Sequence, residues 1–182
     1  MNIPGKRRLA PVVRILGVEA GFPRRSYAPG AQADLQITTD ASSLRLQVFY
    51  FSSQALRRGR DFKTSGTAMT SPIRIDWRNH RDAPGRLRVV RAGDWPSGLY
   101  FLRLSASDGR VGYAPFVVRR VTPHSRIAVV LSTNTWQAYN FWDANGDGWG
   151  DSWYVSDATR SIDLTRPFLD FGVPFRFGDW DL

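Results

Sequence analysis

A run of acidic residues and glycines between positions 143 and 151 has the spacing of a calcium-binding loop. Oxygen-bearing side chains occur at alternate positions, Gly148 follows them, and the next residue offers a backbone carbonyl. Alternate side chains can converge on one hard cation, and the glycine permits the sharp turn that such a loop needs. The candidate ligands are Asp143, Asn145, Asp147, Trp149 and Asp151.

A plain turn is the alternative explanation of the same residues. A calcium loop of the EF-hand type ends on a bidentate glutamate at its twelfth position, where this sequence has Tyr154, so Asp157 or Asp163 would have to complete the ligand set. Segments rich in glycine and aspartate also form turns in which Asp and Asn bond to the neighbouring backbone. A calcium loop and a structural turn therefore remain alternatives.

Hydroxyl-bearing residues follow a short apolar run, "IAVVL", at positions 127–131. Ligands in open α/β sheets bind beyond the carboxyl ends of the strands, so the next segment, "STNTWQAYN", would face a cleft. Residues 132–135 are good helix caps, and we expect a short helix over residues 136–140. Tyr139 and Tyr154 would then lie near the same cleft. Alternatively, the large aromatic residues serve only in packing between domains: Trp136, Tyr139, Phe141, Trp142 and Trp153.

Several other kinds of site are disfavoured. The chain has no cysteine, and His80 and His124 lie in separate loops without zinc-site spacing. No phosphate-binding loop, dinucleotide fingerprint or nucleophile elbow occurs. The net charge of +9 comes from scattered arginines and not from one basic face, which disfavours nucleic-acid binding. No apolar stretch is long enough for a membrane span and no export signal is visible, so we expect a cytoplasmic protein.

The elements before residue 120 have the period of β-strands. In "AQADLQITTD", Ala33, Leu35 and Ile37 alternate with polar residues, and "SLRLQVFYF", "PIRIDW" and "RLRVV" repeat the pattern. Turn signals with proline and glycine separate these runs. Short alternating strands at regular spacing predict an immunoglobulin-like β-sandwich over residues 9–121.

The clearest strand pair is "SGLYFLRLSASDGRVGYAPFVVRR". Asp108-Gly109 predicts a hairpin with a type I′ turn. Leu102, Leu104 and Ala106 would face the core, opposite Val111, Tyr113 and the region of Phe116. Pro115 fits only an edge position or a bulge, because proline donates no ladder hydrogen bond.

The pattern changes after the polar linker "RRVTPHSR". The run at 127–131 is apolar without alternation, as expected for a strand that is covered on both faces in a parallel α/β sheet. The residues after it contain no second comparable run. We therefore predict a mostly β protein, in which the β-sandwich is followed over residues 122–182 by the incomplete start of an α/β domain.

Three segments together resemble the large-subunit family of N,N-dimethylformamidase: "GLYFLRLSASDGRVGYAPFVVRR", "AVVLSTNTWQAYNFWDANGDGWGDSWY" and "LTRPF". The resemblance covers residues from about Ser97 onward. It implies a β-sandwich followed by a domain like those of glutamine amidotransferases. It also implies a hydrolase of small amides with one iron held by two tyrosines and a glutamate. Tyr139 and Tyr154 match the tyrosines, and the glutamate has no counterpart in this chain.

This resemblance predicts that the chain is the N-terminal part of a metal-dependent amide hydrolase and is inactive alone, because the third protein ligand is missing. The expected partners are a small amide and either a second copy of the chain or a downstream domain. The alternative is a non-catalytic β-sandwich binding module whose acidic loop is stabilised by calcium.

Overall fold

Strands with alternating burial make up most of the structure. The computed structural model describes residues 17–51, 66–81, 85–122, 126–140, 142–143, 150–154 and 159–167, with backbone alone over 85–91. The described strands are β1 (Glu19–Gly21), β2 (Ser26–Tyr27), β3 (Gln32–Thr38), β4 (Ser43–Tyr50), β5 (Thr67–Ala68), β6 (Ile73–Asp76), β7 (Gly85–Arg91), β8 (Gly98–Ala106) and β9 (Val111–Val118). A 3₁₀ turn spans Arg78–His80, and helix α1 spans Thr133–Tyr139.

The strands form two sheets. The smaller sheet has the order β1-β3-β7, and the larger has the order β2-β9-β8-β4-β5, with β6 also paired to β4. The pairs are antiparallel except for the short β2–β9 pair, which is parallel. The mostly β class is therefore confirmed, whereas the immunoglobulin-like arrangement and the division at residue 121 stay predictions.

The inner faces of both sheets share one hydrophobic core. In β3, Ala33, Leu35 and Ile37 are buried while Gln32 and Asp34 are exposed, as the alternation predicted. Burying a large aliphatic side chain contributes about 1.5–3 kcal/mol relative to leaving it exposed, so this face fixes the orientation of the strand. The larger sheet contributes Leu44, Leu46, Val48, Tyr100, Leu102, Leu104, Ala106, Ala114, Phe116 and Val118.

The predicted alternation of buried and exposed side chains is only partly observed in the other predicted strands. Ile73 at the start of β6 is 50% exposed, whereas Trp77 just beyond the strand is buried. "RLRVV" forms β7 as predicted, although the side chains of Leu87 and Val89 lie outside the described part of the chain.

The β8–β9 hairpin forms at Asp108-Gly109, but the predicted type I′ turn is wrong. That turn needs positive φ at both central residues, and within the described chain positive φ occurs at no residue other than glycine, including Gly109 at 90°. The Gly109 N–H donates to the Ala106 carbonyl at 3.1 Å, and the Ala106 N–H donates to the Arg110 carbonyl at 2.8 Å. The loop thus has three residues: a type I turn followed by glycine at positive φ.

The additional loop residue reverses the faces of β9. Val111 and Tyr113 were predicted to face the core, but the register pairs Leu104 with Gly112 and so places the even-numbered residues there. A shift of one residue moves every side chain of a strand to the opposite face, so the prediction for Val111 and Tyr113 was wrong and that for Phe116 was right. The buried core face of β9 carries Ala114, Phe116 and Val118.

Pro115 occupies a position in β9 that needs no donor on its outer side. Where the structure is described, β2 pairs with β9 only at Val117 and Val118, so Pro115 lies on a locally unpaired edge. This agrees with the expectation that proline would take an edge position.

The apolar run at 127–131 is not a strand in this structure. It has no ladder partner among the described residues, and Ile127, Val129 and Val130 are 80%, 78% and 92% exposed. Leu131 is half-buried against Trp136. The incomplete α/β segment is therefore not confirmed; the described chain holds no neighbouring strand that could cover this run. In the described regions no helix is long and apolar enough to cross a membrane.

Candidate functional site

Helix α1 rests on the outer face of the larger sheet. It buries Trp136, which packs against Phe51 just after β4 and against Leu99 at the start of β8. A 2.9 Å hydrogen bond from the Phe51 N–H to the Leu99 carbonyl joins these two positions. The helix begins three residues earlier than predicted, and Ser132 precedes it without a side-chain capping bond. The packing role considered for the aromatic residues therefore applies to Trp136, whose burial anchors the helix.

The two predicted iron ligands lie in contact. The ring centroids of Tyr139 and Tyr154 are 4.7 Å apart, with the ring planes inclined at 43°. Tyr139 is half-buried at the end of α1, and Tyr154 is 50% exposed. Trp153, also exposed, stacks on Tyr154 at 5.9 Å. The structure thus brings together two phenols from separate segments at a position open to solvent.

Buried Arg166 joins the segments that carry these tyrosines. It is 6% exposed. Its Nε donates to Gln137 Oε1 at 3.0 Å, and one terminal nitrogen donates to the Asp151 carbonyl at 2.8 Å. The other terminal nitrogen donates to the backbone carbonyls of Gln137 at 2.6 Å and Asn140 at 2.8 Å. The guanidinium therefore satisfies carbonyls at the C-terminal end of α1, where a cation is also favoured by the helix dipole.

Further buried hydrogen bonds complete this network. Gln137 Nε2 donates to the Arg166 carbonyl at 2.8 Å, and Asn140 Nδ2 donates to Gln137 Oε1 at 3.0 Å and to the Pro167 carbonyl at 2.8 Å. The Ser152 hydroxyl donates to the Ala138 carbonyl at 2.9 Å.

The family resemblance drew on "QAYN" and "RP" but assigned no role to Gln137, Asn140 or Arg166. The signal available in the sequence was a Gln and an Asn three residues apart in a helix, followed by an isolated Arg-Pro.

Two contacts fix the segment at 159–167 to the β-sheets. A guanidinium nitrogen of Arg25 donates to the Leu164 carbonyl. Pro167 lies against Gly21 in β1, so closely that a Cβ at Gly21 would stand 2.9 Å from the Pro167 Cα. Glycine at this position therefore allows close approach of the segment that carries Arg166.

Charges around this segment are partly desolvated. Burial lowers the pKa of Arg166, against the opposing effect of the Asp151 and Asp163 carboxylates. Burial likewise lowers the pKa of Arg25 to about 10, opposed by Tyr27 and Asp163, so Arg25 stays protonated at neutral pH. Hydrogen bonds from the Thr165 N–H and hydroxyl, both 2.7 Å, hold the pKa of Asp163 below its usual range.

A polar cleft of about 520 Å³ lies beside the network. Its walls include the buried Arg166 together with Asp151 and Asp163, and neither Tyr139 nor Tyr154 is among its lining residues. The remaining lining residues are Gln36, Trp142, Thr159, Arg160, Ser161, Ile162, Thr165 and Pro167. The tyrosine pair is therefore a surface feature separate from this cleft.

The acidic loop is described only at its ends. The Asp151 N–H donates to the Trp142 carbonyl at 3.0 Å, which closes the loop at its base. Asp143 and Asp151 are half-buried, whereas Asn145, Asp147 and Trp149 lie outside the described residues. Among the described residues no three His, Cys, Asp or Glu side chains are grouped to hold a metal ion. The calcium site therefore stays a prediction.

The histidines do not form a site in the described chain. The His80 ring packs against Trp77 just after β6, with a centroid distance of 4.6 Å and the ring planes inclined at 38°. His124 lies outside the described residues.

Comparison with solved structures gives a weak likeness. The Pseudomonas fluorescens alkylpurine DNA glycosylase AlkC bound to DNA containing an abasic site analog aligns with a TM-score of 0.31 and 13% identity. The alignment covers 60% of this chain and 32% of that one, and a likeness at this level supports no argument about fold or function. Comparison with curated proteins finds no match.

Comparison with protein families gives a match over most of the chain. The family described as N,N-dimethylformamidase beta subunit-like, C-terminal, matches residues 58–182. The match begins earlier than the resemblance at Ser97 and includes α1, Tyr139, Tyr154 and Arg166. This chain therefore belongs to the N,N-dimethylformamidase beta subunit-like family.

Proposed function

We propose that this chain provides part of the active site of a metal-dependent amide hydrolase, in which Tyr139 and Tyr154 are two of the ligands of a ferric ion. The observation that carries the proposal is the contact between the two phenol rings, with centroids 4.7 Å apart, in a member of this family. The exposure of Tyr154 supports it further, because a catalytic metal must be reached by substrate.

The chemistry of the residues suits such an ion. Phenolate oxygens are hard anionic donors, which match ferric iron better than soft metals. When bound, the ion would polarise the amide carbonyl and lower the pKa of a bound water. Tyr139 and Tyr154 would hold the ion, and the packing of Trp153 against Tyr154 restricts the second ring.

The two tyrosines do not make a complete site. The resemblance calls for a glutamate, and the single glutamate of this sequence, Glu19, is 2% exposed within β1. A metal without its third protein ligand lacks a fixed geometry, so we expect this chain alone to bind ferric iron without hydrolysing amides.

Ferric titration of the purified chain tests the proposal. Phenolate bound to ferric iron absorbs visible light by charge transfer, and we expect such a band in the wild type and its loss in both Tyr139→Phe and Tyr154→Phe. The matched control is Tyr50→Phe, because Tyr50 contacts Tyr100 at a similar 5.0 Å centroid distance elsewhere in the fold. The proposal would be refuted if the band were retained in each of the two single variants. It would also be refuted if the folded wild type showed no such band.

We further propose that the strands form an immunoglobulin-like sandwich and that residues 127–131 become a central strand when neighbouring strands are present. The support is that three of these five apolar side chains are at least 78% exposed, while their composition suits a strand covered on both faces. In the assembled enzyme, their backbone amides should exchange with solvent far more slowly than in this chain. Equal exchange rates would contradict this arrangement.

A further inference from the structure

We infer that Arg166 is a positioning residue that holds Tyr139 and Tyr154 together before any metal binds. The inference rests on the proposed function only for the metal-binding role of the two tyrosines. The contact between their rings is a property of this chain. The contacts that support it are the hydrogen bonds of Arg166 to residues 137, 140 and 151.

The connections run from the arginine to each tyrosine by short paths. Two of its acceptors, the carbonyls of Gln137 and Asn140, flank Tyr139 in sequence. A third acceptor, the Asp151 carbonyl, lies three residues before Tyr154. The Ser152 hydroxyl then ties the same segment to the Ala138 carbonyl. One buried cation therefore sets the position of the end of α1 relative to the segment that carries Tyr154.

The chemistry of the side chain is specific to arginine. Its planar guanidinium donates in several fixed directions, whereas a lysine ammonium is a point charge with three donors on a flexible stem. Here the three nitrogens reach four oxygens in two segments. A lysine would keep the charge but could not keep all four bonds, so the two segments would lose their common anchor.

Oxidative coupling of the two tyrosines measures the pairing without iron. A photochemically generated one-electron oxidant removes an electron and a proton from each phenol, and the two phenoxyl radicals join through one carbon–carbon bond to give dityrosine. The protein is stripped of metal with a chelator, and the coupled peptides are mapped by mass spectrometry. Mapping is required because Tyr50 and Tyr100 form a second close pair, which serves as an internal reference.

We expect Tyr139–Tyr154 coupling in the metal-free wild type and a fall of about tenfold in Arg166→Lys, because several buried charge-assisted bonds are lost at once. The reference coupling should not change. Arg160→Lys is the matched control, since Arg160 is exposed and lies in the same segment. Undiminished coupling in folded Arg166→Lys, or no Tyr139–Tyr154 coupling in the wild type, would overturn the inference.

A second pair of variants covers the case in which Arg166→Lys does not fold. Gln137→Met removes the side-chain acceptor of the Arg166 Nε, and Gln137→Glu retains an acceptor there. Coupling should fall in Gln137→Met and be retained to a greater extent in Gln137→Glu; equal coupling in both would count against a role of Arg166. If coupling behaves as expected but the ferric band is absent, the proposed function fails and the positioning role stands.

Discussion

Replacing Gly21 by alanine should weaken the docking of the segment that carries Arg166. The new Cβ would lie 2.9 Å from the Pro167 Cα and 3.6 Å from the Arg166 carbonyl oxygen, whereas ordinary contacts begin at 3.4 Å. The backbone of residue 167 would have to move by about 0.5 Å. Because the Pro167 carbonyl accepts a bond from Asn140 Nδ2, this movement also strains the end of α1.

The expected cost combines two effects of opposite sign. Overpacking against backbone costs about 1–3 kcal/mol. Alanine is better than glycine within a strand by about 0.5–1 kcal/mol, since it restricts the unfolded chain. The net loss in the free energy of unfolding should therefore lie between about 0 and about 2.5 kcal/mol, centred near about 1 kcal/mol. Urea unfolding followed by tryptophan fluorescence measures it, and metal-free Tyr139–Tyr154 coupling should decrease in the same variant.

Gly109→Ala is the matched control. Gly109 has a φ of 90° and nothing within 4 Å of an added Cβ, so alanine there strains only the hairpin backbone, by about 1–2 kcal/mol. It should lower stability by a similar amount and leave the coupling yield unchanged. Wild-type stability with unchanged coupling in Gly21→Ala would refute the packing of Pro167 on β1. An equal loss of coupling in both variants would show that the yield reports only global stability.

Two further predictions concern the core. Burial raises the pKa of Tyr100 to about 12, with Tyr50 adding to the effect, so its contribution to stability is complete below the usual tyrosine pKa of about 10 and is lost as the pH rises toward 12. Alkaline unfolding should therefore depend less on pH in Tyr100→Phe; identical profiles would contradict this. Leu104→Ala should cost about 2–5 kcal/mol, whereas Val130→Ala, at a residue 92% exposed, should stay within about 0.5 kcal/mol. Similar urea midpoints for both variants would contradict the difference in burial between the two residues.

The strands could be predicted because their pattern is local. Ala33, Leu35 and Ile37 alternate with polar residues, and a half-buried strand needs no more information than that. The turn at Asp108-Gly109 was less determined, because this dipeptide fits both a two-residue and a three-residue loop. Arg110 bonds to the Asp108 carboxylate and forms a 2.6 Å ion pair with Asp40, which precedes β4. That long-range contact accompanies the three-residue loop and is not visible in the local sequence.

The two tyrosines could be predicted from the sequence, whereas the hydrogen-bond network beside them could not. Tyr139 and Tyr154 were identified through the family resemblance, and the structure places their rings in contact. Gln137 and Arg166 were not identified as a network, because they are 29 positions apart and polar residues in a short helix usually face solvent. Their burial depends on packing against the β-sheets. The periodicity of the sequence does not predict this packing.

The contact between Tyr139 and Tyr154 forms although the apolar run at 127–131 is exposed. If the pair required a completed parallel sheet, the absence of strand partners for this run in the described chain should have separated the rings. They are instead in contact, with α1 anchored on β4 and β8 through Trp136 and the Arg166 segment anchored on β1 beside Gly21. The contacts that order the two phenols are thus made to the β-sheets, and the rings meet without a strand formed by residues 127–131.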